Sequence, residues 1–156
     1  MADIKSTRQT TKRISLIFCF IILLMSGCRY KEGPFMSFTS PDKRIVASWS
    51  LQHLYKNGEE VKSSEYAALK VGNVYAFHAY GPLVVSAYIN GEIRESYTGT
   101  WQFENNKKDV HIKFFLADRQ YDYTASIKKL SKNEFIYEYD DTTGAHWRLQ
   151  MYAQAN

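Results

Sequence analysis

The stretch Val84-Val85-Ser86-Ala87-Tyr88-Ile89-Asn90-Gly91-Glu92-Ile93-Arg94 decides the fold. Apolar and polar residues alternate on either side of Asn90-Gly91, and those two residues tolerate the positive φ angles that a two-residue hairpin turn requires. The segment therefore predicts two antiparallel strands joined by a tight turn. The same grammar recurs in both directions. Asn57-Gly58, Tyr80-Gly81-Pro82, Glu104-Asn105-Asn106-Lys107, Ser131-Lys132-Asn133 and Thr142-Thr143-Gly144 supply further turn signals between segments rich in β-branched and aromatic residues.

Strands are expected near 45–55, 66–71, 74–80, 83–89, 92–98, 100–104, 109–116, 121–129, 134–140 and 145–153, with almost no helical period. Short strands in tight succession predict an all-β antiparallel meander. At this length it must form two sheets or close on itself, because an open sheet leaves an unpaired edge. Alternation assigns one face of each strand to the interior. The expected inward sets are Ile45, Ala47, Trp49 and Leu51; Tyr75, Phe77 and Ala79; Val110, Ile112, Phe114 and Leu116; Tyr121, Tyr123, Ala125 and Ile127; Phe135, Tyr137 and Tyr139; and Trp147, Leu149 and Met151.

Ahead of this region the chain is different. A basic head (Lys5, Arg8, Lys12, Arg13) leads into an apolar run from Ile14 to Met25, then Ser26, Gly27 and Cys28. That order is the pattern of an export signal. The run is shorter than the roughly 20 residues that cross a bilayer as a helix. The string Leu24-Met25-Ser26-Gly27-Cys28 resembles a bacterial lipobox, with Met25 where Leu is commoner. The resemblance implies cleavage before Cys28 and attachment of diacylglycerol and a fatty acyl group such as palmitate to that residue. Cys19 would leave with the signal, so Cys28 would be the sole remaining thiol and no internal disulfide could form. Two or more acyl chains hold a protein firmly on a membrane.

Three segments follow: a lipoprotein signal peptide over 1–27, a tether over 28–42 marked by Gly33, Pro34 and Pro41, and a β domain over 43–156. The tether could reach no more than about 50 Å. Removing residues 1–27 takes four of the 20 basic and one of the 16 acidic residues, which leaves a net charge near +1. The basic balance thus belongs to the targeting segment, and nucleic acid is not an expected partner. Arg29, rather than an acidic residue, follows Cys28, which by analogy with lipoprotein sorting favours the outer membrane. Periplasmic and surface orientations both stay open, and nothing in the residues fixes an oligomeric state.

A second resemblance concerns the β domain. Ala47-Ser48-Trp49, Asn73-Val74-Tyr75-Ala76-Phe77 followed by Gly81, Gly99-Thr100-Trp101-Gln102-Phe103 opening a later strand, and Tyr123-Thr124-Ala125-Ser126-Ile127-Lys128-Lys129-Leu130 resemble the lipocalin-like domains of small Gram-negative envelope lipoproteins. Ala47 replaces the Gly of the usual Gly-x-Trp. The resemblance covers about residues 44–153. It implies a small closed barrel of about 8–10 strands and a membrane-anchored protein that binds a small apolar ligand in or at that barrel. Trp49, Tyr75, Phe77, Trp101, Phe103 and Tyr123 are the expected lining. Barrels of this size either hold one small ligand or fill with side chains. The alternative is accordingly a non-catalytic envelope interaction or accessory module with a filled barrel and a protein or glycan partner.

No catalytic constellation accompanies these features, and an enzyme, a cofactor and a metal are not expected. His78, His111 and His146 alternate out of phase with the inward sets and are expected at the surface, whereas His53 shares the core parity. Asp118, Asp122, Asp140 and Asp141 lie beside turns, where Asp is favoured for its own hydrogen bonding.

Overall fold

A computed structural model describes residues 30–33, 37–62, 66, 68–89, 92–116 and 119–154. The expected alternation is realised as nine antiparallel strands: β1 (Ser48–Lys56), β2 (Glu59–Val61), β3 (Val74–Phe77), β4 (Pro82–Ile89), β5 (Glu92–Glu104), β6 (Asp109–Leu116), β7 (Arg119–Leu130), β8 (Glu134–Asp140) and β9 (His146–Ala153). Sequential neighbours pair from β3 to β9, and β1 bonds to both β3 and β9. The result is a closed eight-stranded barrel of lipocalin-like form. The short β2 adds to β1 beyond β3, where Leu54 faces Val61.

Turn signals among the described residues act as written. Asn57 and Gly58 both take positive φ between the paired Lys56 and Glu59. Asn90-Gly91 lies outside the described residues, flanked by the paired Ile89 and Glu92. One end of the barrel, its base, carries the turns at 78–81, 105–108 and 131–133. The other end, its mouth, carries the turns at 57–58 and 141–145 and the described residues 62, 66 and 68–73.

Several expectations need correction. Residues 41–45 form a short helix, α1 (Pro41–Ile45), so Ile45 is buried from a helix rather than from the first strand. The indole Nε1 of Trp49 donates to the Ile45 carbonyl at 2.9 Å and ties α1 across the base. The described residues of 66–71 do not form a strand. The apolar residues Tyr66, Ala68 and Leu69 are buried because the loop folds into the mouth. Residues 92–98 and 100–104 are one strand, and Gly99 sits in its middle rather than opening a new one. A Cβ on Gly99 would lie 2.2 Å from the Lys113 carbonyl oxygen and 2.4 Å from the Phe114 Cβ, so the close approach of β6 requires glycine there.

Parity fails where strands bulge. The β1–β9 register shifts between Leu51 and His53, which returns Leu54 to the core and turns His53 outward to an ion pair with Glu60 at 2.6 Å. Ala79 lies beyond the end of β3 and is exposed. The described part of the expected tether is also engaged. Tyr30 is 4% exposed and belongs to the core cluster, the Glu32 amide donates to the Lys128 carbonyl at 2.8 Å, and residues 41–45 are helical.

Candidate functional site

Large rings close the centre of the barrel. Trp49 meets Phe135 edge-on at 5.5 Å, Phe135 meets Phe77 at 5.6 Å, and Phe77 meets Trp101 at 5.7 Å. Trp49, Tyr75 and Phe77 of the expected lining are thus packed core residues, at most 1% exposed. None of the three lines the base groove or the small upper cavity described below.

Above these rings lies a layer of tyrosines. The Tyr75 hydroxyl donates to the Ala68 carbonyl at 2.6 Å, and the same oxygen accepts the Asn73 side-chain amide at 3.0 Å. This shared acceptor holds residues 68–73 inside the mouth. The Tyr123 and Tyr137 hydroxyls bond to each other at 3.2 Å, while the Tyr123 and Tyr139 rings stack at 4.0 Å. Burial pushes all four phenols well above their ordinary value, because the phenolate would lose its hydration. They act as neutral hydrogen-bonding groups.

The mouth narrows to a cavity of about 90 Å³ bordered by Tyr66, Arg119, Tyr121, Tyr123, Tyr139 and Asp141. Its walls are locked. The Arg119 guanidinium lies 3.9 Å from the Tyr66 ring centroid, and Tyr66 packs edge-on against Trp147 at 6.0 Å. Burial opposes the charge on Asp141, yet the Thr143 hydroxyl, the Trp147 indole and the amides of Thr143 and Ala145 all donate to it and hold its carboxyl well below the usual carboxylate range. Tyr66 and Arg119 went unnoticed in the sequence, where Tyr66 read as part of a strand. This space suits a few waters rather than an organic ligand.

The larger opening is at the base. A groove of about 760 Å³ runs between α1, the β3–β4 turn and β5. Val46, Ala79, Tyr80, Trp101 and Phe103 give it an apolar wall, and Asp42, Lys43 and Gln102 give it a polar rim. Trp101 and Phe103 stand edge-to-face at 5.5 Å, and the Trp101 indole donates to the His78 carbonyl at 3.0 Å. That bond fixes the ring that forms the back of the groove. Two of the lining residues are held by Lys107, which pairs with Asp42 and lies 5.9 Å from the Phe103 ring centroid. Of the expected lining residues, then, Trp101 and Phe103 meet at the groove, and Tyr123 borders the small upper cavity.

Cys28 and the string Leu24-Met25-Ser26-Gly27 lie outside the described residues, as does Asp118. His78 and His146 are exposed, and His111 points outward to Asp122 at 2.7 Å. Among the described residues no group of three or more His, Cys, Asp or Glu is placed to hold a metal ion. No helix among them is long and apolar enough to cross a membrane.

No family model matches the chain, and no curated protein is similar to it in sequence. Solved structures do share its fold. A lipocalin-like protein from Bacteroides uniformis ATCC 8492 superposes with a TM-score of 0.51 at 13% identity, over 71% of this chain and 99% of that one. An uncharacterized protein from Bacteroides eggerthii DSM 20697 gives a TM-score of 0.52 at 12% identity, over 70% of this chain and 99% of that one.

Proposed function

We propose that this protein is a lipid-anchored, lipocalin-like binding protein of the cell envelope, held at the outer membrane through acylated Cys28. Its ligand is a small apolar molecule, and the binding site is the groove at the barrel base. The groove itself carries the reading. Its volume of about 760 Å³ falls in the range of small-molecule sites, and a wall of aromatic and aliphatic side chains with a few polar groups at the rim is the usual make-up of such sites. A ligand there lies at the barrel rather than in its middle, which the rings around Phe135 occupy.

The packed centre is the one observation that favours the alternative, an accessory module that works through its surface. The two readings separate in a binding titration. An apolar fluorescent probe should bind the wild-type protein with saturation, and Val46→Arg, which introduces a charge on the groove wall, should weaken binding at least tenfold while leaving thermal unfolding unchanged. Equal binding by both proteins would remove the groove as the site. The anchor has a separate test: Cys28→Ala should move the protein out of the membrane fraction, and unchanged membrane association would contradict acylation.

A further inference from the structure

The chain enters the described structure at Tyr30, two residues after Cys28, and it enters at a fixed point. Tyr30 is 4% exposed, its hydroxyl donates to the Lys107 carbonyl at 2.9 Å, and the Arg44 guanidinium lies 5.8 Å from its ring centroid. Arg44 belongs to α1 and Lys107 to the β5–β6 turn, so both contacts lie at the base. Two residues span no more than about 7 Å. The acyl chains of a modified Cys28 would therefore emerge beside the base, without the roughly 50 Å of freedom that a loose tether would give.

The same end is built for a lipid surface in two further respects. Phe38, three residues before α1, and Tyr80, in the β3–β4 turn, are the most exposed large apolar side chains among the described residues, at 102% and 104%. Tyr80 holds φ at 67°, an unfavourable state for a bulky residue, and in it the ring stands clear of the barrel. Aromatic side chains of this kind favour the membrane–water boundary. The base also carries positive charge. Lys43, Lys108 and Lys132, on α1 and two base turns, form no ion pair among the described residues, and Asp42 and Glu134 at the same end are paired with Lys107 and Lys129. Anionic headgroups attract these lysines.

We infer that the barrel lies base-down on its membrane, with Phe38 and Tyr80 in the headgroup layer, Lys43, Lys108 and Lys132 over anionic lipid, and the mouth facing away. This orientation rests on the anchoring reading above. It sets the ligand groove against the headgroups, since Tyr80 and Lys43 border both.

The test uses the full chain in its acylated form, carrying a thiol-attached fluorophore at Tyr80→Cys or, at the mouth, Thr142→Cys. Phe38→Cys serves as a second base position in case labelling at 80 disturbs the turn. Each protein is reconstituted in vesicles of phosphatidylethanolamine with a minor share of phosphatidylglycerol and a lipid spin-labelled near the headgroup. Flotation of the vesicles is read on the same samples. Quenching at 80 and 38 should exceed that at 142 several-fold. Floating protein quenched more at 142, or equally weakly at all three positions as for a base that meets another protein, overturns the orientation and leaves the anchor intact. Protein that does not float overturns both.

Discussion

The guanidinium of Arg148 grips both carboxylate oxygens of Glu32, with Nη1 to Oε1 at 3.0 Å and Nη2 to Oε2 at 2.6 Å, and so fastens the N-terminal arm to β9. Arg148 also donates to Glu138 at 2.6 Å, which holds the fork in place on the barrel wall. A bidentate pair specifies geometry as well as supplying energy.

Arg148→Ala should release the arm. Because the pair is partly solvated, the loss of global stability should be only about 1 kcal/mol. The local effect should be larger and is read by hydrogen exchange: the Glu32 amide, protected by the Lys128 carbonyl, should exchange at least tenfold faster. The hydrogen bond from Arg148 lowers the Glu32 pKa below its ordinary value of 4.5. A depressed carboxylate stabilises the docked arm above that value, and the contribution fades as pH falls below it. Protection of the Glu32 amide, taken relative to its intrinsic exchange rate at each pH, should therefore fall in acid in the wild type and show little such dependence in Glu32→Gln.

Asp141 organises the β8–β9 turn through two backbone amides, a hydroxyl and an indole. Asp141→Ala strands those donors and should lower stability by about 2–3 kcal/mol, measured by chemical denaturation. The folded carboxyl is held below its ordinary value of 3.8, so its contribution is complete above that value and is lost on further acidification. The gap between wild type and variant should hence close as pH drops below about 4.

The paired hydroxyls of Tyr123 and Tyr137 predict non-additive substitutions. Either single change to Phe leaves one buried hydroxyl without its partner and should cost about 1–2 kcal/mol. The double change removes both groups and should cost less than the two singles together, which a double-mutant cycle reads directly. Burial also raises these phenols far above 10, so the unfolded chain loses protons first as pH rises past that value. Stability should stay level to about pH 10 and then fall, with the phenolate absorbance appearing together with unfolding.

Gly99→Ala should destabilise the barrel by about 1–3 kcal/mol, because the added methyl would meet the Lys113 backbone and Phe114, whose ring stacks on Tyr121 at 4.7 Å. Gly144→Ala also meets strain, from a φ of 82°, but has open space around the added carbon and should unfold less of the structure in the same assay.

Alternation and turn chemistry made the barrel legible, because each acts within a few residues. Val110, Ile112 and Phe114, or Trp147, Leu149 and Met151, announce a buried face on their own, and all six are buried. What escaped depends on partners distant in the chain. The bulge that turns His53 outward is defined jointly by β1 and β9, and no single strand encodes it. Tyr66, Ala68 and Leu69 carry a strand-like pattern, yet they are buried by filling the mouth, a role fixed by the Tyr75 hydroxyl below them. Tyr30 sits among turn-forming residues and gave no periodic signal, although Lys107, 77 positions away, accepts its hydroxyl. The groove was half legible: Trp101 and Phe103 stood out as rings on one strand face, whereas Tyr80 and Val46 join them only through the placement of α1 and the β3–β4 turn.

The claim that the base groove holds a small apolar molecule is tested most directly by native mass spectrometry of the acylated protein extracted from its own membranes in a mild detergent. A discrete added mass should accompany the wild type and be absent from Val46→Arg extracted in parallel. Wild-type protein recovered repeatedly without any added mass, or the same added mass on both proteins, would contradict it.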